Sequence, residues 1–204
     1  PTVAAGNPCY LTFAVPHHAD GTYSEASAAA VVERGKLADV IAVGPGLGDR
    51  EDVGNLVRAV LFDLPDTPAV LDADALNVLA PFAGEFPNRT APLVLTPHPG
   101  EFARLSGATV AEVQADRVGR ATAFAARFGV VLLLKGAGTV VTDGTRVYVN
   151  PTGNPGMGTG GVGDVLTGLI AALVGQGMPG YDAACLGAWV HGRAGDLAAA
   201  DLSQ

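Results

Sequence analysis

The stretch "NPTGNPGMGTGGVGD", residues 150–164, decides how this chain folds, together with the "VLTGLIAALVG" that follows it. Gly156, Gly158 and Gly161 fit the pattern G-x-G-x-x-G, and Asp182 lies about 20 residues on, where a dinucleotide-binding fingerprint wants an acid. The context argues against that fingerprint, which needs a strand turning straight into a helix. Pro151 and Pro155 interrupt any strand before the glycines, and Asp182 stands at a helix entrance after "GMPGY". A Walker A loop is excluded because the only Gly-Lys pair, Gly35-Lys36, is followed by Leu37.

A different physical reading fits. Val165, Leu166, Leu169, Ile170, Leu173 and Val174 recur at helical spacing, so a buried helix begins near Asp164. The glycines before it can present unpaired backbone N–H groups at the positive end of that helix, a site for phosphate oxygens. An aspartate there can simply cap the helix. It can also take the proton of an attacking hydroxyl while the amides steady a transferring phosphoryl group. The residues alone leave both roles open.

The composition narrows the setting. Of 204 residues, 49% are hydrophobic and 16% charged, with mean hydropathy +0.32, enough for one domain with a large core. A net charge of −8 disfavours nucleic acid and anionic membranes as partners, so an anionic ligand must be held locally. Cys9 and Cys185 form no CxxC, which points away from a disulfide framework or zinc and towards a reducing cytoplasm. Signal-peptide and bilayer-spanning patterns are lacking in the sequence as given, as are HExxH and GxSxG.

Outward from the glycine stretch, strands are predicted at 10–15, 39–44, 69–74, 92–97, 130–136, 139–144 and 146–150. Helices are predicted at about 24–35, 52–63, 75–80, 99–106, 110–128, 162–176 and 182–200. Continuous apolar runs predict strands covered on both faces, as in a parallel sheet between helices. Asp143-Gly144 predicts an antiparallel hairpin at the far edge. Ligands of such sheets sit outside the carboxyl ends of the strands. "GPGLG", "DADALN", "TPHPGE" and "KGAGT" all fall there.

These motifs carry a resemblance. "NPGMGTGGVGDVLTG" (154–168) resembles the GxGD-type signature of the ribokinase-like superfamily. With "VGPGLG" (43–48), "LDADALN" (71–77), "LTPHPGE" (95–101) and "LLLKGAGTVV" (132–141), the chain resembles the NAD(P)H-hydrate dehydratases from about residue 39 to its C-terminus. The resemblance implies a ribokinase-like three-layer α/β sandwich, mostly parallel with an antiparallel edge hairpin. It further implies a single domain over 1–204 that lacks the family's N-terminal Gly-rich strand end and Ala-rich helix. The implied activity is repair of NADH or NADPH hydrate (NADHX, NADPHX). ADP, or ATP in eukaryotic relatives, phosphorylates the C6 hydroxyl with Mg2+, and phosphate then leaves.

By the same resemblance Asp164 is the catalytic base and the amides of Gly160, Gly161 and Gly163 are the anion hole. Lys135, Gly136, Ala137, Gly138, Thr139 and Gly163 bind the nucleotide. Gly46, His98 and Asp164 contact the hydrate, and Glu101 belongs to the Mg2+–phosphate network. Read without the resemblance, Lys135 is equally a solvated strand end and Glu101 a first-turn helix acid. Asp72, Asp74 and Asn77 could line the pocket, or Asp74 could cap a short helix. His17, His18 and His191 match no motif. The Ala- and Gly-rich helix at 182–200 suits packing within the chain or in a homo-oligomer. The alternatives are a superfamily kinase acting on a sugar, vitamin alcohol or thiazole, and a non-catalytic nucleotide-binding module.

Overall fold

Runs of Val, Leu and Ile condense into six short strands whose order in the sheet is their order in the chain. The computed structural model describes residues 6, 9–82, 84, 86 and 89–202. Helix α1 (Glu25–Gly35) leads to β1 (Ile41–Val43), α2 (Glu51–Asp63), β2 (Ala69–Leu71), the single turn α3 (Asp74–Asn77) and β3 (Leu93–Leu95). Helices α4 (Pro99–Ser106), α5 (Val110–Ala115) and α6 (Arg117–Phe128) precede β4 (Val131–Leu134), β5 (Val140–Thr142) and β6 (Val147–Val149). A 3-10 turn (Pro155–Met157) then leads to α7 (Val162–Gly175) and α8 (Gly180–Leu202).

The first four strands run parallel, while β4–β5 and β5–β6 are antiparallel. Right-handed crossovers between sequential parallel strands place every connecting helix on one face of the sheet. One core accordingly joins the inward side chains of α2 to α6, among them Leu56, Leu61, Phe102, Leu105 and Phe124, to Leu71, Leu95, Leu132 and Leu134. The opposite face would be bare, and α7 and α8 cover it with Leu166, Ile170, Val174, Ala184 and Ala188 against Val70, Val94, Leu133 and Val141. Strands β2, β3 and β4 are thus buried throughout, as their uninterrupted apolar runs require.

The two antiparallel steps matter for the site. They return β6 to the direction of β1–β4, so the chain leaves β6 at the edge where those strands end. Helix α7 packs against β1 and β2, and α8 against β3, β4 and β5. The segment from 150 to 161 must therefore run along the carboxyl edge.

Three expectations fail. Residues 10–15 form no strand: Leu11 is 88% exposed, and Tyr10 and Phe13 are exposed beside it. An apolar run becomes a strand only where a neighbour pairs with it, and the described residues offer 10–15 none. The predicted helix 110–128 breaks at Asp116, whose non-helical backbone ends α5 and whose carboxylate accepts from the Gly119 amide to start α6. Val165, assigned to the buried stripe of α7, is 63% exposed; the stripe proper is Leu166, Ile170 and Val174.

The hairpin turn is tied by one side chain. Asp143 Oδ1 accepts from the amides of Thr145 and Arg146 and from Thr145 Oγ1, and Oδ2 accepts from Arg146 Nε at 2.7 Å. Burial pushes this carboxyl up, but the bonds from Arg146 and Thr145 outweigh it and hold it well below the usual carboxylate range. As pH falls, the unfolded chain takes up the proton first. The stabilisation is therefore full above about pH 4 and is lost below that. Urea unfolding from about pH 7 to about pH 3 should show Asp143→Asn less stable than wild type at the upper end, with the gap closing towards the lower end.

Gly44, which follows β1, sits at φ +145°, and a Cβ on it would lie 1.7 Å from the Asp72 carbonyl oxygen. Gly46 has φ +73° but open space around it. Gly44→Ala should cost about 3 kcal/mol or more, through both clash and backbone strain. Gly46→Ala should cost about 1 kcal/mol, from strain alone. Denaturant midpoints of the two variants check the contrast.

Candidate active site

The glycine segment is moulded onto α8 before it reaches α7. Asn150, buried after β6, donates to the carbonyls of Thr152 and Ala188. Asp196 accepts from the Gly153 amide and from Asn154 Nδ2, and Asn154 Oδ1 caps the 3-10 turn at Gly156. Gly192 and Gly195 of α8 make room: a Cβ on Gly192 would meet Thr152 Oγ1 at 2.2 Å, and one on Gly195 the Met157 sulfur at 2.3 Å. The small residues of 182–200 thus seat the loop, which answers within the chain part of what the sequence left open.

Helix α7 begins with Gly161 as N-cap in the left-handed region, φ +86°, with no side chain capping it. Asp164 is the third helical residue, not the cap. Its side chain is exposed and engages no described residue. The capping role left open by the sequence is therefore not what this carboxylate does. It stands beside the first-turn amides of α7, which have no partner within the helix. A Cβ on Gly160 or Gly161 would meet nothing within 4 Å, so the loop is open on this side.

Beneath this turn lies a charged cluster. Asp72, at the end of β2 and 1% exposed, accepts from Lys135 Nζ at 2.7 Å and the Ala73 amide at 2.9 Å on Oδ1, and from Thr167 Oγ1 of α7 at 2.7 Å on Oδ2. Lys135, following β4, has its ammonium 3.9 Å from Glu101 Oε2. Lys135 is not the solvated strand end that its sequence position alone allows.

Glu101 and His98 build the start of α4. His98 is the N-cap, its Nδ1 accepting from the Gly100 and Glu101 amides, while Glu101 Oε2 accepts from the His98 amide at 2.7 Å. Nδ1 as acceptor puts the proton of a neutral ring on Nε2, which lies 3.4 Å from Glu101 Oε1. Glu101 thus fills the first-turn role expected of a helix acid and also faces Lys135.

The 135–139 turn exposes residues 136–138 and is held from behind by Arg117. The Arg117 guanidinium donates to the carbonyls of Leu134, Lys135 and Gly138 at 3.0–3.5 Å. Burial pushes this guanidinium down from its usual range. Thr139 Oγ1 closes the turn on the Gly136 carbonyl.

On the other side of the carboxyl edge a cleft of about 490 Å³ is lined by Gly48, Asp49, Asp74, Asn77, Ala80, Pro81 and Arg104. Asp74 ties Gly48 through its amide at 2.8 Å, and Arg104 donates twice to Asn77 Oδ1. Asp74 and Asn77 therefore line a cleft, whereas Asp72 turns away to Lys135. Exposed Gly46 sits at the same edge.

Sequence reasoning missed Arg117, Thr167 and the α8 glycines, and set His191 aside. That ring, half-buried on α8, bonds to the Val162 backbone at the start of α7; burial holds it below its usual pKa despite that bond. Of the other histidines, His18 Nε2 pairs with Asp52 at 2.8 Å, away from the site motifs. Among the described residues no three His, Cys, Asp or Glu side chains are grouped to hold a metal, and no helix is long and apolar enough to cross a membrane.

A family model described as NAD(P)H-hydrate dehydratase matches residues 5–204. A bifunctional NAD(P)H-hydrate repair enzyme, Nnr, of Moorella thermoacetica is 49% identical over 95% of this chain and 37% of its own. An ADP-dependent (S)-NAD(P)H-hydrate dehydratase of Neisseria meningitidis is 49% identical over 76% of this chain and 53% of its own. The chain thus spans between about a third and about a half of these curated relatives. Among solved structures, the Bacillus subtilis ADP/ATP-dependent NAD(P)H-hydrate dehydratase, co-crystallised with ATP/Mg2+ and soaked with CoA, superposes with TM-score 0.71. It is 39% identical, over 78% of this chain and 57% of that one. An Enterococcus faecalis protein of the ribokinase-like superfamily gives TM-score 0.73 at 28% identity, over 87% and 61%. The sheet, its edge hairpin and its two helical layers are those of the ribokinase-like fold, and the chain belongs to the NAD(P)H-hydrate dehydratase family.

Proposed function

We propose that the protein to which this chain belongs dehydrates NADH or NADPH hydrate at the expense of ADP. The observation that carries the reading is Asp164: an uncommitted, exposed carboxylate in the first turn of a 14-residue helix, beside amides without helical partners. A carboxylate that neither caps nor pairs, placed where an anion is drawn, suits a proton acceptor for a hydroxyl attacking phosphorus. In the proposed reaction the C6 hydroxyl oxygen bonds to the terminal phosphorus of ADP as its proton passes to Asp164, and the bond from that phosphorus to its bridging oxygen breaks, releasing AMP. The ring nitrogen then supplies the electron pair that expels phosphate from C6, and the resulting iminium loses a proton from C5 to water, forming the C5–C6 double bond that restores the reduced nicotinamide.

The amides of Gly160, Gly161 and Gly163 are assigned to the transferring phosphoryl oxygens. The nucleotide is assigned to the turn of Lys135, Gly136, Ala137, Gly138 and Thr139, which Arg117 shapes, and Gly46 and His98 to the hydrate. Mg2+ would supply charge neutralisation on the phosphates. The buried carboxylate of Glu101 beside the site fits that ion's habit of binding one or two carboxylates and otherwise phosphate oxygens and water.

Asp164→Asn should lower recovery of NADH from its hydrate with ADP and Mg2+ by about 100-fold or more, while nucleotide binding persists. Recovery of reduced nicotinamide absorbance measures the first and calorimetry the second. A stable phosphate ester accumulating without recovered NADH would overturn the reading in favour of a kinase. Arg117→Met should raise KM for ADP about tenfold with kcat little changed, because the turn loses its backing and Asp164 does not move. Steady-state kinetics with varied ADP check this.

A further inference from the structure

We propose that Asp72 is a positioning residue for phosphoryl transfer, fixing the Lys135 ammonium under the first turn of α7 so that Lys135 meets the transferred phosphoryl group. The inference rests on the phosphoryl-transfer reading above and assigns the lysine side chain to a different part of the donor from the turn that follows it. Residues 136–138 are exposed and belong to the turn to which the nucleotide was assigned. The Lys135 side chain instead turns back beneath the glycine loop: a Cβ built on Gly163 would lie 3.4 Å from its Nζ. A cation at the start of a helix is at the wrong end of the dipole. Its placement there becomes favourable when a carboxylate holds it and an anion joins it.

Asp72 supplies the hold and cannot itself be the ligand contact. It is 1% exposed, and its two oxygens accept from three donors, Lys135 Nζ, the Ala73 amide and Thr167 Oγ1. Thr167 lies one turn into α7 and its hydroxyl is also 3.2 Å from the Gly163 carbonyl. One carboxylate therefore sets the end of β4 and the first turn of α7 against each other. The ammonium keeps donors for a phosphate oxygen, since its other carboxylate neighbour, Glu101, stands at 3.9 Å.

The test compares AMP, which lacks the transferable group, with ADP, both titrated calorimetrically with Mg2+ into the full-length protein. Lys135→Met should weaken ADP about tenfold and leave AMP within about threefold. Asp72→Asn should show the same ADP-selective loss. In the Lys135→Met background it should add none, because a residue acting through Lys135 has nothing left to position. A purely structural role would weaken both nucleotides, and its effect would add to that of Lys135→Met. Equal losses of AMP and ADP affinity, or additive effects in the double variant, would overturn the proposal. Should Asp72→Asn alone not fold, the charge-neutral double variant is compared directly with Lys135→Met, and a changed ADP-to-AMP ratio between those two overturns it. Failure of the unaltered protein to bind either nucleotide would overturn the function itself, and this inference with it, a result distinct from all the others.

Discussion

The buried contact between Asp72 and Lys135 is the constraint on which the arrangement of the carboxyl edge depends. Taking a carboxylate and an ammonium out of water costs more than an apolar pair of the same size would. Stability alone is therefore a weak reason for having them there. What the pair adds is direction, since a hydrogen-bonded ion pair with Thr167 on the second oxygen fixes three elements at once: the end of β2, the end of β4 and the opening turn of α7. Apolar residues could fill the same space but would leave the register of α7 against the sheet to packing, which tolerates slippage. Gly44 reinforces the point, because its lack of a side chain lets the end of β1 touch the Asp72 carbonyl.

The topology explains why this junction coincides with the glycine loop. Strands in sequential order put all crossover helices on one face, so the other face must be covered by helices that come after the sheet is complete. Helix α7 lies over β1 and β2, at the opposite side of the sheet from β6. The chain has to travel the width of the carboxyl edge between them, and with four parallel strands ending there it passes every strand-end motif on the way. The loop is a traverse that the fold needs, and α8 supplies its track through Gly192, Gly195 and Asp196. A flexible traverse would have sufficed to connect the elements. The hydrogen bonds of Asn150, Thr152, Gly153 and Asn154 hold this one in a single course.

Much of this was legible in the sequence where the cause is local. The uninterrupted runs at β2, β3 and β4 gave strands covered on both faces, and Asp143-Gly144 gave the hairpin. The motifs fell at strand ends because glycine, proline and charge cannot continue a buried strand. What escaped has long-range causes. Residues 10–15 look like a strand by composition, but pairing requires a neighbour that composition does not name. Asp72 and Asp74 are two residues apart and chemically identical, yet one is buried under α7 and the other ties the 44–48 loop. Only the placement of α3 and α7 on opposite faces separates them. Arg117 reads as a residue inside the predicted helix at 110–128, and its contact with the 135–139 turn depends on α6 and β4 being adjacent. The α8 glycines could be counted in the sequence but not assigned to a surface. Asp164 was legible as special and not as uncapped, since that depends on Gly161 taking the cap position.

The displacement of Asp164 from cap to third residue bears on how the proposed chemistry works. Phosphoryl transfer through a loose transition state asks little of base strength, because the hydroxyl proton leaves late, when the bond to phosphorus is already forming. It asks a great deal of placement. A carboxylate at the cap position would be turned back onto its own helix and spend its oxygens on backbone amides. Three residues further on, it projects from the first turn while those amides stay open to a phosphoryl group. The glycine cap is what divides the labour: because Gly161 can enter the helix in the left-handed region without a side-chain oxygen, both the amides and the carboxylate are left for a ligand. The Lys135–Asp72 pair beneath then holds this turn against the sheet, so that the distance from carboxylate to amides is set by the fold and not by the substrate.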